Sequence, residues 1–125
     1  ELVTAWWNPW VQTLDTLNMS PHIDYVPPND GQSWFGYVTG LCAINLLAQA
    51  KTALGDLERI KRCVRLGGFI NATPDFGPLP QVMNGASDLM VLALGDKGRH
   101  ARTTIGVAQL PLDAAVEVEA VFEIA

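Results

Sequence analysis

The chain has 125 residues, 49% of them hydrophobic and 17% charged, a length that suits one domain built around a single two-layer core. Its formal net charge is −5 and no basic run exceeds two residues, so a nucleic-acid partner is not expected. The longest apolar stretch, Leu41–Ala50, is interrupted by Asn45 and Gln49 and is too short to span a bilayer.

No basic leader precedes an apolar run near Glu1, so the expectation is a cytoplasmic domain without a signal peptide. Residues 1–32 carry Trp6, Trp7 and Trp10 close together, which suggests an interface or a packed edge. Short strands at Val11–Leu17 and Ile23–Val26 are compatible with the pattern, with Pro27-Pro-Asn-Asp-Gly31 as a turn.

From Ser33 the spacing becomes helical. Ser33 can cap, Leu41, Ile44, Leu47, Ala48 and Leu54 recur three and four apart, and Gly55 suits a left-handed helix end. The segment from Trp34 to Gly40 reads either as the start of this helix or as a strand. Arg59–Ile70 alternates as a strand, with Ile60, Val64 and Leu66 on one face and Lys61, Cys63 and Arg65 on the other.

The three prolines and the glycine of Asn71–Pro80 mark a loop, and Pro80 fits the first turn of a second helix. That helix carries Val82, Ala86, Leu89, Met90 and Ala93 on one stripe; Gly95 stops it, and Asp96–His100 is a polar loop. Two strands close the chain. In Thr103–Leu110, Ile105 and Val107 share a face opposite Arg102, Thr104, Gly106 and Ala108. In Ala115–Ile124, Val116, Val118, Ala120, Phe122 and Ile124 oppose Glu117, Glu119, Val121 and Glu123.

With the apolar faces turned to the helices, the chain reads as an α+β two-layer sandwich, a sheet with two helices on one side. Arg102 and Glu117 then both belong to the second, open sheet face. That face is half apolar, which in a small domain implies burial against further copies of the chain. Cys42 and Cys63 form no CxxC and lie in apolar segments, as reduced core thiols do. His22 and His100 have no ligand-spaced cysteine or carboxylate, so no metal site is expected. Gly67-Gly68 lacks a phosphate-loop context and is better suited to relieving crowding at a strand bend.

Several segments carry a resemblance. Gly98-Arg-His-Ala-Arg-Thr-Thr-Ile-Gly-Val-Ala-Gln-Leu-Pro111, followed by Ala115-Val-Glu-Val-Glu-Ala120, resembles the closing signature of the YjgF/RidA family. Upstream, Ala43–Leu54 with Asn45, Gly55-Asp-Leu57 and Val82-Met-Asn-Gly85 agree in order and spacing. Arg65-Leu-Gly-Gly-Phe-Ile-Asn-Ala-Thr-Pro-Asp-Phe76 and Asn84-Gly-Ala-Ser-Asp88 are similar to a bacterial subgroup labelled endoribonuclease L-PSP-like. Residues 41–125 carry the likeness. Residues 1–40 depart from it: either Pro9-Trp-Val-Gln12 with Asn18-Met19 matches the family's first strand, or Tyr25-Val-Pro27 does, with a later segment missing.

The resemblance implies a chorismate-mutase-like fold with a mixed sheet, assembled as a homotrimer with clefts between subunits. It implies that Arg102 holds the carboxylate of a small metabolite and that Glu117 positions or activates a water. Asn84 and Thr104 join the substrate-binding set, and Trp10 or Tyr25 supplies an aromatic, depending on the alignment. The implied activity is hydrolytic deamination of reactive enamine or imine acids to 2-keto acids. Such imines are already electrophilic, so neither a metal nor an organic cofactor is required. A different class of function, a non-catalytic trimeric binding or regulatory protein, would use the same cleft. RNA cleavage follows only from the label and is opposed by the acidic charge.

Overall fold

The alternation of Val116–Ile124 decides the architecture, because it makes this strand the spine of the sheet. The computed structural model describes residues 2–7 and 33–125. Four strands, β1 (Leu2–Trp7), β2 (Ile60–Asn71), β3 (Ala101–Val107) and β4 (Val116–Ile124), form one sheet in the order β1-β4-β2-β3. β4 runs antiparallel to both β1 and β2, whereas β2 and β3 are parallel and are joined through a helix. The two helices are α1 (Ser33–Leu54) and α2 (Leu79–Leu94), and both pack on one face. The fold is thus the α+β sandwich that the pattern predicts, with the mixed sheet that the resemblance implies.

Val116, Val118, Ala120, Phe122 and Ile124 all turn into the core, with Phe122 fully buried. They meet Cys42, Leu46, Leu47 and Ala50 from α1 and Val82, Met83, Ala86 and Met90 from α2. Burial of each large side chain contributes roughly 1.5–3 kcal/mol, and this shared layer holds the helices down. Gly55 ends α1 at φ +83°, its N–H bonding to the Lys51 carbonyl at 2.8 Å; Gly95 ends α2 at φ +63°. Pro80 lies in the first turn of α2.

Several expectations need correction. The segment 34–40 is helical, the N-terminal part of α1. Its buried stripe is Cys42, Ala43, Leu46, Leu47 and Ala50, while Ile44 and Ala48 are exposed. The helix is apolar nearly all round, so spacing alone misplaces the stripe. On α2, Ala93 is exposed and Met83 is buried instead. In β2 it is Ile60, Cys63 and Leu66 that face inward, and Val64 is only half-buried. Irregularities at Ile60/Arg62 and Cys63/Arg65 each insert an extra residue and reset the alternation. β1 was not anticipated. The expected strands at Val11–Leu17 and Ile23–Val26, the turn at 27–31, Trp10, Tyr25 and the rival matches to the family's first strand lie outside the described residues.

Both cysteines are free and buried. Desolvation raises the Cys42 thiol far above its ordinary value and pushes Cys63 up to about 11, consistent with inert core thiols.

The helices cross at glycine. A Cβ on Gly85 would lie 1.7 Å from the Gly36 carbonyl oxygen and 2.8 Å from Thr39 Oγ1. Thr39 Oγ1 in turn donates to the Val82 carbonyl at 2.6 Å. Gly85→Ala should therefore cost about 3 kcal/mol or prevent folding, by overpacking against backbone that cannot yield. Gly36→Ala meets nothing within 4 Å and should stabilise by up to about 1 kcal/mol through helix propensity. Urea unfolding of the two variants checks the contrast.

Candidate functional site

Register fixes which side chains share a face. In the parallel β2–β3 pair, Leu66, Gly68 and Ile70 stand beside Arg102, Thr104 and Gly106. Leu66 and Ile70 are core residues, and a Cβ on Gly68 would overlap Met83 of α2. Arg102, Thr104 and Gly106 therefore look toward the helices. This reverses the expectation for β3. Ile105, 42% exposed, and Val107 lie on the open side, beside Phe69 and Asn71. The physical reason is that β3 is an edge strand and the part of α2 above it is polar, so its inward side is polar too.

Arg102 is half-buried under that part of α2. Its Nη1 donates to Asn84 Oδ1 at 2.9 Å and to Ser87 Oγ at 3.1 Å. Asn84 and Ser87 are three apart on the helix and share a face. Ser87 Oγ also lies 3.0 Å from His100 Nε2, and His100 Nδ1 contacts the Gly98 carbonyl. A carbonyl only accepts, so Nδ1 carries the hydrogen. In neutral His100, Nε2 then accepts from the Ser87 hydroxyl. The chain Gly98–His100–Ser87–Arg102–Asn84 ties the turn after α2 to β3.

A guanidinium has five donors. Two are spent at Nη1; among the described residues no partner takes Nε–H or Nη2. Those two nitrogens form a planar fork that matches the two oxygens of a carboxylate. Two residues along the same face, Thr104 Oγ1 is buried without a hydrogen-bond partner among the described residues. Farther along, Gly106 borders a depression lined by Ala72, Thr73, Pro74, Phe76, Leu79 and Val107.

Glu117 sits elsewhere. It pairs in register with Phe69 and belongs to the face opposite Arg102. That face also carries two arginine–glutamate pairs across β2 and β4. Arg62 Nε meets Glu123 Oε2 at 2.6 Å and Arg65 Nη2 meets Glu119 Oε1 at 2.9 Å. Arg62 holds the Glu123 carboxyl below the usual carboxylate range. Glu119 is 8% exposed and leans across Gly67, where a Cβ would stand 2.6 Å from its Oε1.

Of the residues expected at the site, the structure brings together Arg102, Asn84 and Thr104 and separates Glu117 from them within one chain. Ser87 and His100 escaped the sequence reading. Their signal was the helical spacing of Asn84 and Ser87, which share a face, and the position of His100 immediately before the strand that carries Arg102. Among the described residues no group of three or more His, Cys, Asp or Glu could hold a metal, and no helix is long and apolar enough to cross a membrane.

Residues 29–124 match the family model described as "YjgF/chorismate_mutase-like, putative endoribonuclease". The chain belongs to this family. A structure of a protein of unknown function from Agrobacterium tumefaciens is 42% identical, with TM-score 0.72, covering 81% of this chain and 68% of that one. The structure of a "putative endoribonuclease" from Shewanella oneidensis is 32% identical with TM-score 0.72, covering 82% of this chain and 64% of that one. Protein TCP17 of Trypanosoma cruzi is 51% identical over 84 residues, 66% of this chain and 52% of that protein. The chain thus spans about half the length of this curated relative. Escherichia coli TdcF, solved with bound serine, shares the fold at 18% identity and TM-score 0.51, covering 78% and 68%.

If the Thr104 hydroxyl is a ligand contact rather than a structural one, removing it should relieve the unligated fold. Thr104→Val is expected to raise stability by about 1 kcal/mol in urea unfolding, since an unsatisfied buried hydroxyl is lost. A comparable loss of stability would mean that the hydroxyl is bonded within the fold.

Proposed function

We propose that this family member is a cytoplasmic homotrimer that hydrolyses small reactive enamine or imine acids to 2-keto acids and ammonia. The observation that carries this reading is the Arg102 guanidinium, clamped at Nη1 by Asn84 and Ser87 with its Nε/Nη2 fork unspent among the described residues. A fixed fork suits a small carboxylate and sets the adjacent C=N in one orientation. Glu117 is the water-positioning group, and Thr104 and Asn84 complete the binding side.

Because Arg102 and Glu117 lie on opposite faces of one sheet, they serve the same ligand only across an interface between copies. That requirement favours an assembly with clefts between subunits over a self-contained monomer. TdcF, the more distant protein of the same fold, was solved with serine, itself a small carboxylate. The net charge of −5 disfavours the RNA substrate that an endoribonuclease would take.

The test generates 2-aminoacrylate from serine with a dehydratase and follows pyruvate release. The wild-type chain should accelerate it, and Arg102→Ala should lose roughly 10- to 100-fold, as expected for charge-assisted hydrogen bonds. Arg102→Ala and Glu117→Gln, each reduced to about a tenth or less alone, should recover about a quarter of wild-type activity when unfolded together and reassembled as mixed trimers. No acceleration by the wild type, with pyruvate bound stoichiometrically, would favour a binding protein. A sedimentation mass near the 13.5 kDa of one chain would defeat the assembly.

A further inference from the structure

We propose that His100, acting through the Ser87 hydroxyl, delivers and recovers the proton for the ligand held on Arg102. This rests on the carboxylate site proposed above and adds to it a proton donor on the same chain as the arginine.

The geometry is that of a short relay. Ser87 Oγ is 3.0 Å from His100 Nε2 and 3.1 Å from Arg102 Nη1. A hydroxyl has one hydrogen and two lone pairs. With His100 neutral, the hydrogen points to Nε2 and one lone pair takes Arg102. With His100 protonated, both lone pairs are filled, by Nε2–H and by Nη1–H. The hydroxyl hydrogen is then turned out of the network, beside the guanidinium that holds the ligand. The Gly98 carbonyl keeps a proton on Nδ1 in both states, so only Nε2 exchanges.

Ser87 and His100 are both half-buried, open enough to reach a ligand but shielded in part from bulk water. The charged groups around His100 can be named. Arg102 reaches it through Ser87. In its own turn, Asp96 is taken by Arg99 at 3.1 Å and Lys97 lies 3.8 Å from Glu58. Asp88, next to Ser87 on α2, is exposed. Arg65 of β2, in register with Ala101, is committed to Glu119. Among the described residues Arg102 is the unneutralised cation that would oppose a second one there; a bound carboxylate offsets it and makes the imidazolium acceptable.

For an enamine acid, the step runs as follows. The C=C electron pair takes the Ser87 Oγ proton to form a C–H bond, the nitrogen lone pair forms C=N, and the Nε2 proton moves to Ser87. Water then adds to the iminium carbon, and its proton returns through Ser87 to His100. The hydroxyl proton of the resulting carbinolamine passes to its nitrogen, the oxygen lone pair forms C=O as the C–N bond breaks, and ammonia leaves, so that enamine acid and water become 2-keto acid and ammonia. No oxidant or cofactor enters the balance.

Three variants of the full chain test it in the 2-aminoacrylate assay: His100→Gln, Ser87→Ala and Ser87→Thr. Gln keeps a donor toward Ser87 but carries no exchangeable charge. His100→Gln and Ser87→Ala should each lose about 100-fold in kcat, the scale of general acid catalysis; KM should stay nearly unchanged in His100→Gln and rise in Ser87→Ala, which also removes a clamp on Arg102 Nη1. The relay requires wild-type kcat to fall at alkaline pH; both variants should lack that fall, whereas Ser87→Thr should restore rate and profile. A His100→Gln enzyme with wild-type kcat and pH profile would overturn the relay while leaving the deaminase reading intact. If the wild type hydrolyses no imine, that reading fails and calorimetry decides the relay. Pyruvate binding, measured in buffers of different ionisation enthalpy, should take up a proton in the wild type and none in His100→Gln. Equal uptake in both, or uptake in neither, overturns it.

Discussion

Gly85 has no room for a side chain, because the α1 backbone already occupies the space where one would stand. Contact at that distance fixes the height of α2 over the sheet as well as its rotation. Asn84 and Ser87 flank this crossing on the same helix, so their reach to β3 is set by a helix–helix contact on the far side of α2. Met83 over Gly68 acts in the same direction, letting the helix settle where a side chain on the strand would lift it. The Arg102 fork is therefore placed by small residues that never touch it. An arginine on an edge strand would otherwise sweep through many rotamers, and the loss of that freedom on binding would weaken a carboxylate grip.

Much of this was legible from residue pattern. β4 alternates cleanly over nine residues, its inward side is wholly apolar, and the structure follows it. Gly55, Pro80 and Gly95 mark helix boundaries for the backbone reasons that favour those residues there. What the pattern hid has physical causes. α1 is apolar on most faces, so periodicity does not select its stripe. β2 holds two irregularities, and each shifts inward-facing positions by one, which is why Cys63 is core and Val64 is not.

β3 misleads for a different reason. Apolar Ile105 and Val107 read as core, yet the strand is at the sheet edge and its helix-facing side meets polar α2 residues. The inference that Arg102 and Glu117 share a face followed from treating apolar as inward, and the parallel register with β2 reverses it. Family-like motifs mark which residues recur, whereas the faces they occupy depend on long-range pairing that no local window contains.

The two arginine–glutamate pairs on the open face have a consequence for whatever covers it. Across β2 and β4, Arg62 with Glu123 and Arg65 with Glu119 have already cancelled one another's charge. Glu119 has also been largely desolvated within the chain, lying along Gly67. A surface that docks there meets dipoles rather than bare ions and has little hydration left to strip from that carboxylate. Selectivity for any surface docking there would then come from the shape of Phe69, Ile105, Val107 and Val121 more than from opposite charge. Its association should respond weakly to salt, as expected when the ions of an interface are neutralised before it forms.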